Sequence, residues 1–376
     1  MESEFYRWLR NRLYVAFYEA KAGKQGTADE YVFELKLEQN MKQLTDDIYY
    51  RMYKPSRGIA FLISQPVMRE IFAAPFRDRI VHHFLYDMSA DWWDKRLDYD
   101  AYSCRKGKGT LFGVRRLEHH ISSVSENYTK EAYAIQLDIQ GYFMSLDRAR
   151  LVERVEWGLA KQFEVGSAMY DLLDYLWKEI ILDDPTDGVK IRGNISDWDK
   201  LPANKSLFCQ PPGKGIVIGN LSSQLLSNIY LGQLDMFIRQ ELGYSSYGRY
   251  VDDFFLIVPA TELAKAKDDI RIIERYLADE LGLVLHPKKR HIQEVRKGVA
   301  FLGMVVYPHH TVPGRRMNKN FHQAMKETVE GVRGVTFKLY ALEVLLVFCV
   351  EDQKLRLLER PRTESLSPFS LDRVRN

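Results

Sequence analysis

Cysteine is scarce: Cys104, Cys209 and Cys349 are the three in 376 residues, far apart and without a CxxC pair. That argues against a disulfide framework or a structural zinc site and fits a reducing compartment. Long hydrophobic runs are missing as well. ALEVLLVFCV, residues 341–350, is about half of what a membrane span needs. The N-terminal MESEFYRWLRNRLYVAFYEAK is charged and amphipathic and lacks the apolar core of a signal peptide. Net charge is small too, +3, so bulk composition does not announce a nucleic-acid binder. No G-x-S-x-G, HExxH or GxGxxG is present, and CRKGKGT is not a P-loop because the glycine spacing is wrong. The adjacent pairs His82/His83, His119/His120 and His309/His310 make poor metal sites, since neighbours on a helix or strand point apart.

What is present is a globular composition: 46% hydrophobic, 28% charged, 12% aromatic with 22 Tyr. The length suits two or three lobes. Phe5, Leu9, Leu13 and Phe17 recur at helical spacing. Short strands and a helix are expected over 51–85, a basic turn and helix over 91–130, and a strand in EAYAIQLDIQGYFMSLD that breaks at Gly141. Residues 150–182 read as helical and 183–215 as a hairpin or surface excursion. NLSSQLLSNIYLGQLDMFIRQELG reads as a helix capped by Asn220 or Ser222 and stopped at Gly243. A hairpin around Tyr250–Asp253 follows, then an amphipathic helix ended by Gly282, then two strands. The order from 133 to 290 predicts an α+β fold, a split antiparallel sheet with helices on one face.

GRYVDDFFLIV, residues 248–258, holds the sharpest signal. Phe254–Val258 reads as a buried strand, yet Asp252 and Asp253 stand at its mouth. An unpaired buried carboxylate costs several kcal/mol. Asp138 ends the other strong strand. If both strands share a sheet, three acids converge and raise one another's pKa. A pair of Mg²⁺ ions, hard cations that take carboxylate, phosphate and water oxygens, removes that conflict. Two such metals suit nucleotidyl transfer. The competing reading is a solvated turn; the apolar flanks weigh against it.

Several segments, in order, resemble reverse transcriptases of the prokaryotic, group II intron-related kind. They are PVMREIFAAPFRDRIVHH, LDIQGYFMSLD, GIVIGNLSSQLLSNIYL, YVDD, LVLHPKKRHI and FLG, between about residues 50 and 308. AYSCRKGKGT, the W..LP..KSLF stretch from Trp198 to Phe208 and IGNLSSQ look like the diversity-generating retroelement subgroup. The resemblance implies a right-hand polymerase with fingers at 1–104, an RRM-like palm at 105–149 and 216–307, a fingers or insertion hairpin at 150–215, and a thumb-like helical C-terminus at 308–376. It implies RNA-directed DNA synthesis on a DNA or RNA primer from dNTPs, error-prone at template adenines, with two Mg²⁺ and with Mn²⁺ serving in vitro. It implies a small basic helical accessory protein and the cytoplasm of a bacterial or phage-infected cell. A retron-like or phage-defence reverse transcriptase, or an inactive RRM-like RNA-binding module, are the alternatives.

The same resemblance assigns residues. Asp138, Asp252 and Asp253, with the main chain of Ile139, would hold metal. Lys289 would protonate the leaving pyrophosphate, with Lys288 as rival. Arg69 would lie along the triphosphate, the alternative being an ion pair with Glu70 or Asp78. Val67 stands where many relatives carry a lysine. Amides around Gly141 and Tyr142 would face the triphosphate, and Phe143 would exclude a 2′-hydroxyl. Ile218, Gly219 and Gln224 would border the nascent pair; Ile218 is apolar where most of the family has glutamine. Arg105, Lys106 and Lys108 would follow a template backbone, or form a solvated turn. Phe301, Leu302 and Gly303 would grip the primer. Arg296, Lys297, Arg315 and Arg316 make the same end basic. No Asn-Ser-Tyr-Leu-Gly-like thumb segment is found, which leaves the thumb truncated or divergent.

Overall fold

The computed structural model describes residues 3–22, 26–64 and 67–329. The chain divides into two compact units between Val299 and Ala300. The first opens with three helices, α1 (Glu4–Lys21), α2 (Ala28–Glu34) and α3 (Leu37–Tyr49). Leu9, Leu13 and Phe17 of α1 are buried at intervals of one helical turn, as their spacing requires. A hairpin follows, β1 (Ile59–Ile63) and β2 (Arg69–Ala73), then α4 (Phe76–Asp94). The Asp29 carboxylate, in the first turn of α2, accepts from the Phe76 amide at 2.8 Å and so caps α4 from a distant helix.

Next come α5 (Thr110–Val124), β3 (Ala132–Ile139), the single turn α6 (Tyr142–Ser145), α7 (Arg148–Gln162) and α8 (Ala168–Leu182). The excursion after α8 contributes β4 (Lys190–Ile191), which pairs parallel with β1, and then three short 3₁₀ turns between Ile195 and Cys209. It is therefore not a free surface loop. The unit closes with α9 (Leu221–Met236), β5 (Tyr247–Tyr250), β6 (Asp253–Pro259), α10 (Leu263–Leu281) and β7 (Leu285–Glu294). Asn220 stands at the N-cap of α9 without a side-chain cap bond, and Gly282 ends α10 in the left-handed conformation expected of it.

β5, β6, β3 and β7 form one antiparallel sheet in that order. This is the α+β arrangement expected for a right-hand polymerase. One face packs Ile135, Leu137, Phe254, Leu256 and Val258 into the main core with the helices. The expectation of helices on one face alone is corrected. The other face is covered at β5 and β6 by α5, with His120 edge-on to Phe255 at 5.9 Å. The reason is visible in β6, where every residue from Phe254 to Val258 is buried and both faces need cover.

The second unit holds most of a three-stranded sheet, β8 (Val299–Phe301), β9 (Met304–Tyr307) and β10 (His310–Pro313), and then α11 (Arg315–Val329). The expected boundary at 307 falls inside this sheet, while the compact units part at 299/300. The segments expected as fingers, and most of those expected as palm, lie together in the first unit. Residues 330–376, and with them most of the expected thumb and Cys349, lie outside the described residues. Among the described residues no helix is long and apolar enough to cross a membrane.

Candidate active site

Asp138 and Asp253 are direct cross-strand partners in the β3–β6 register. Asp252 precedes them at the β5–β6 turn, and its carbonyl accepts from the Ile139 amide at 3.1 Å. Two chain segments more than a hundred residues apart thus deliver three carboxylates to one sheet end. Burial, then the charge of Asp138, pushes the Asp252 carboxyl up to about 6, with Lys289 and Arg69 pulling it back. Burial, then Asp138 and Asp252, pushes Asp253 up to about 7.

Lys289 is the cation in contact. Its Nζ donates to Asp138 Oδ2 at 2.8 Å. β7 breaks register between Leu137 and Ile139, and this bulge re-aims a strand residue toward the acid. The rival Lys288 is exposed one residue earlier. Among the described residues no group of three or more His, Cys, Asp or Glu is arranged to enclose a metal ion. The donors nevertheless fit magnesium, which is commonly held by one or two carboxylates and completed by phosphate and water. Ile139 is buried and offers only its main chain.

The turn bearing Asp252 is clamped. Val251 has φ +58, a strained conformation for a β-branched residue. Its amide donates to Ser103 Oγ at 3.2 Å, and its carbonyl accepts from Arg249 Nη1 at 3.1 Å. Asn228 Nδ2 donates to the Ser103 carbonyl at 2.8 Å. Arg249 is fully buried and forks onto Asp235, at 2.7 Å to each oxygen, and Tyr247 adds its hydroxyl to the same acid. Burial alone would lower the Arg249 pKa; the attraction of Asp235 outweighs it and the pKa rises. The sequence reading missed this set. Its signal was present: a lone Arg in an apolar strand, GRYVDDFFLIV, and a lone Asp in an apolar helix, NIYLGQLDMFI.

Around the acids, Arg69 sits exposed on β2 and forms neither ion pair considered for it. Glu70 accepts instead from Trp198 Nε1 at 3.0 Å, the Leu207 amide at 2.9 Å and the Ser206 hydroxyl. Asp78 binds Tyr53, the Ser56 amide and Arg77. Gly141 is left-handed, φ +57, and an added Cβ would lie 2.7 Å from the Asn204 carbonyl. Tyr142 turns its hydroxyl inward to the Ser227 carbonyl at 2.6 Å, so only its main chain can face a substrate. Phe143 is half-buried and packs, like Ile218, on a cluster of Ala60, Phe72, Met144 and Leu207. The Phe72 amide donates to the Ile218 carbonyl at 3.1 Å, which ties β2 to the segment before α9. Gly219, φ +131, abuts Phe72, and Gln224 is exposed in the first turn of α9.

The basic turn is a correction. Arg105 is 6% exposed and spends its donors on Asp94 and on the Asp94, Asp98 and Ala101 carbonyls. It ties down its own loop rather than projecting from it. Lys108 likewise bonds the Tyr99 carbonyl and lies over the Tyr99 and Phe112 rings. Lys106 is exposed. Phe301, Leu302 and Gly303 form the β8–β9 turn of the second unit, with Leu302 at φ +50.

Residues 68–306 match the family described as reverse transcriptase (RNA-dependent DNA polymerase). Protein YkfC of Escherichia coli (strain K12) is 22% identical over 307 residues, 72% of each chain. Similar solved structures include telomerase from Candida albicans with a TWJ fragment of telomeric RNA, at 12% identity and TM-score 0.49, covering 88% of this chain and 58% of that one. Apo telomerase from Candida tropicalis is 12% identical, TM-score 0.48, over 69% of this chain and 49% of that one. The chain spans about half the length of these telomerase chains. The family match runs over more than half of the sequence and includes all three acids, and the chain belongs to the reverse transcriptases, the RNA-dependent DNA polymerases.

Proposed function

We propose that the protein makes cDNA by two-metal nucleotidyl transfer at Asp138, Asp252 and Asp253, as the error-prone polymerase of a diversity-generating retroelement. The observation that carries the reaction is the register itself, which sets Asp138 opposite Asp253 beside Asp252. Two Mg²⁺ ions bound there and by the Ile139 main chain would activate the primer hydroxyl and neutralise the departing pyrophosphate. Lys289 is released from Asp138 as phosphate arrives and gives its proton to the leaving group. Arg69 lies along the triphosphate, and the main chain at Gly141 and Tyr142 borders it. Phe143 blocks a 2′-hydroxyl. Lys106 and the turn at Phe301–Gly303 serve template and primer.

The subgroup reading rests on Ile218, Gly219 and Gln224. An apolar side chain replaces a polar one beside the nascent pair. One hydrogen bond is worth about 1 kcal/mol net, so selection relaxes several-fold. In this reading 1–104 and 150–215 act as fingers, 105–149 and 216–307 as palm, and 308–376 as thumb. A small basic helical protein assists in the cytoplasm.

Purified protein, with and without that partner, is given RNA template, primer, dNTPs and Mg²⁺. The expected result is cDNA that disappears in Asp252→Asn, with changes concentrated opposite template adenines. No cDNA under either condition would sink the polymerase reading. Faithful cDNA would sink the mutagenic one and favour a retron-like or phage-defence enzyme.

A further inference from the structure

The excursion between α8 and α9 is built against the nucleotide site. Three of its groups, from Trp198, Ser206 and Leu207, converge on the buried Glu70 carboxylate, next to Arg69. Gln210 Nε2 donates to the Ala203 carbonyl at 2.8 Å and the Ser206 carbonyl at 2.9 Å, which fixes the turn between them. The Asn204 carbonyl lies over Gly141, where only a missing Cβ leaves room, three residues after Asp138. Leu207 packs with Met144 and Phe72 beneath the same wall.

Lys205 is the residue between Asn204 and Ser206. It is exposed, between Asn204, whose carbonyl lies over Gly141, and the buried Ser206, whose hydroxyl is bonded to Glu70. One neighbour touches the turn that follows Asp138; the other is bonded to the acid that follows Arg69. An incoming triphosphate adds several negative charges beside three carboxylates that meet at one sheet end. Of the cations described at the cluster, Lys289 is occupied by Asp138. In the reaction proposed above Lys289 serves the leaving group, so further protein cations for the phosphate oxygens come from Arg69 on β2 and from the excursion.

We propose that Lys205 is a nucleotide-binding residue, placing its ammonium on the phosphates of the incoming dNTP opposite Arg69. This rests on the polymerase reading above. The excursion is then a wall of the substrate pocket, and Glu70 is the positioning residue that holds it there. The charge belongs to the nucleotide subsite rather than the template track, because both flanking contacts lead to the turn beside Asp138 and to β2.

The test is single-nucleotide primer extension with Lys205→Ala, Lys205→Arg and Lys200→Ala, alongside primer–template affinity. Lys200 is an exposed lysine of the same excursion, paired with Asp197. Lys205→Ala is expected to raise KM for dNTP about tenfold with kcat within about twofold, as for loss of a hydrogen bond to a charged group. Lys205→Arg should recover most of it, and Lys200→Ala should leave KM unchanged. Primer–template Kd and its salt dependence should not move. An unchanged KM in Lys205→Ala overturns the inference while the polymerase stands. So does a weakened duplex affinity with a shallower salt slope, which would assign Lys205 to a strand backbone. A wild-type chain without synthesis removes the polymerase reading and this inference with it.

Discussion

Asp235 and Asp253 are both acids set against the same hairpin, and the fold treats them in opposite ways. Asp235 is 1% exposed and receives a fork from Arg249 and a hydroxyl from Tyr247. Its charge is matched where it stands. Asp253 is pushed up to about 7 by burial and by two neighbouring acids. Among the described residues no equivalent fork is built for it. The first arrangement holds a turn in place; the second leaves a charge to be matched by something that comes and goes. Asp252, one residue from the clamp and one from Asp253, stands where the two meet.

The largest expected contrast comes from removing one acid from each region. Asp235→Ala strands Arg249 in the core and should cost about 3–5 kcal/mol in urea unfolding, with partial recovery when Arg249→Met is added. Asp252→Asn relieves burial and repulsion; it should melt no lower than wild type without Mg²⁺ while losing synthesis. If both variants melt alike, the distinction between the regions collapses.

A third buried group gives a smaller, pH-dependent measure. His82 meets Ser222 Oγ at 2.8 Å beneath the start of α9, and burial, then His83, lowers its pKa from 6.5 to about 4. Between those values the unfolded chain binds the extra proton and the folded chain does not. The contribution of His82 to stability should therefore fall as pH drops from about 6.5 to about 4, by roughly 3 kcal/mol, while Asp252 and Asp253, raised in the folded chain, act in the opposite direction over that range. His82→Gln, compared with wild type, should remove that contribution from the pH dependence of unfolding, and an identical slope in both would remove His82 from the account. The smallest effect is Ser103→Ala. It frees the Val251 amide, should cost about 1 kcal/mol, and should slow kcat several-fold with KM for dNTP little changed. A normal kcat would mean that Arg249 alone suffices to hold the turn.

Much of this was legible before any coordinates. Acids bounded by apolar runs need a cation, and Asp138, Asp252 and Asp253, expected together on that ground, meet at one end of the expected antiparallel sheet. Lys289 was expected only through the family resemblance, with Lys288 as rival, and it is Lys289 that contacts Asp138. What could not be read was partnership across distance. Glu70 looked like a neighbour for Arg69, whereas its three donors lie 128, 136 and 137 residues away. Arg249 and Asp235 are legible singly as misplaced charges, but their pairing depends on how α9 lies against β5. Arg105 failed for another reason: glycines and basic residues mark a turn, and composition does not say whether a guanidinium points outward or back into its own loop.

The three donors on Glu70 have a mechanical consequence. β2 cannot swing from the excursion without leaving a buried carboxylate bare. Any hinge that opens the proposed nucleotide site must therefore lie outside the pair, and Arg69 and Trp198 should travel as one rigid piece. Distance probes on those two positions would stay silent through a catalytic cycle, while either one paired with the Asp252 turn would report it.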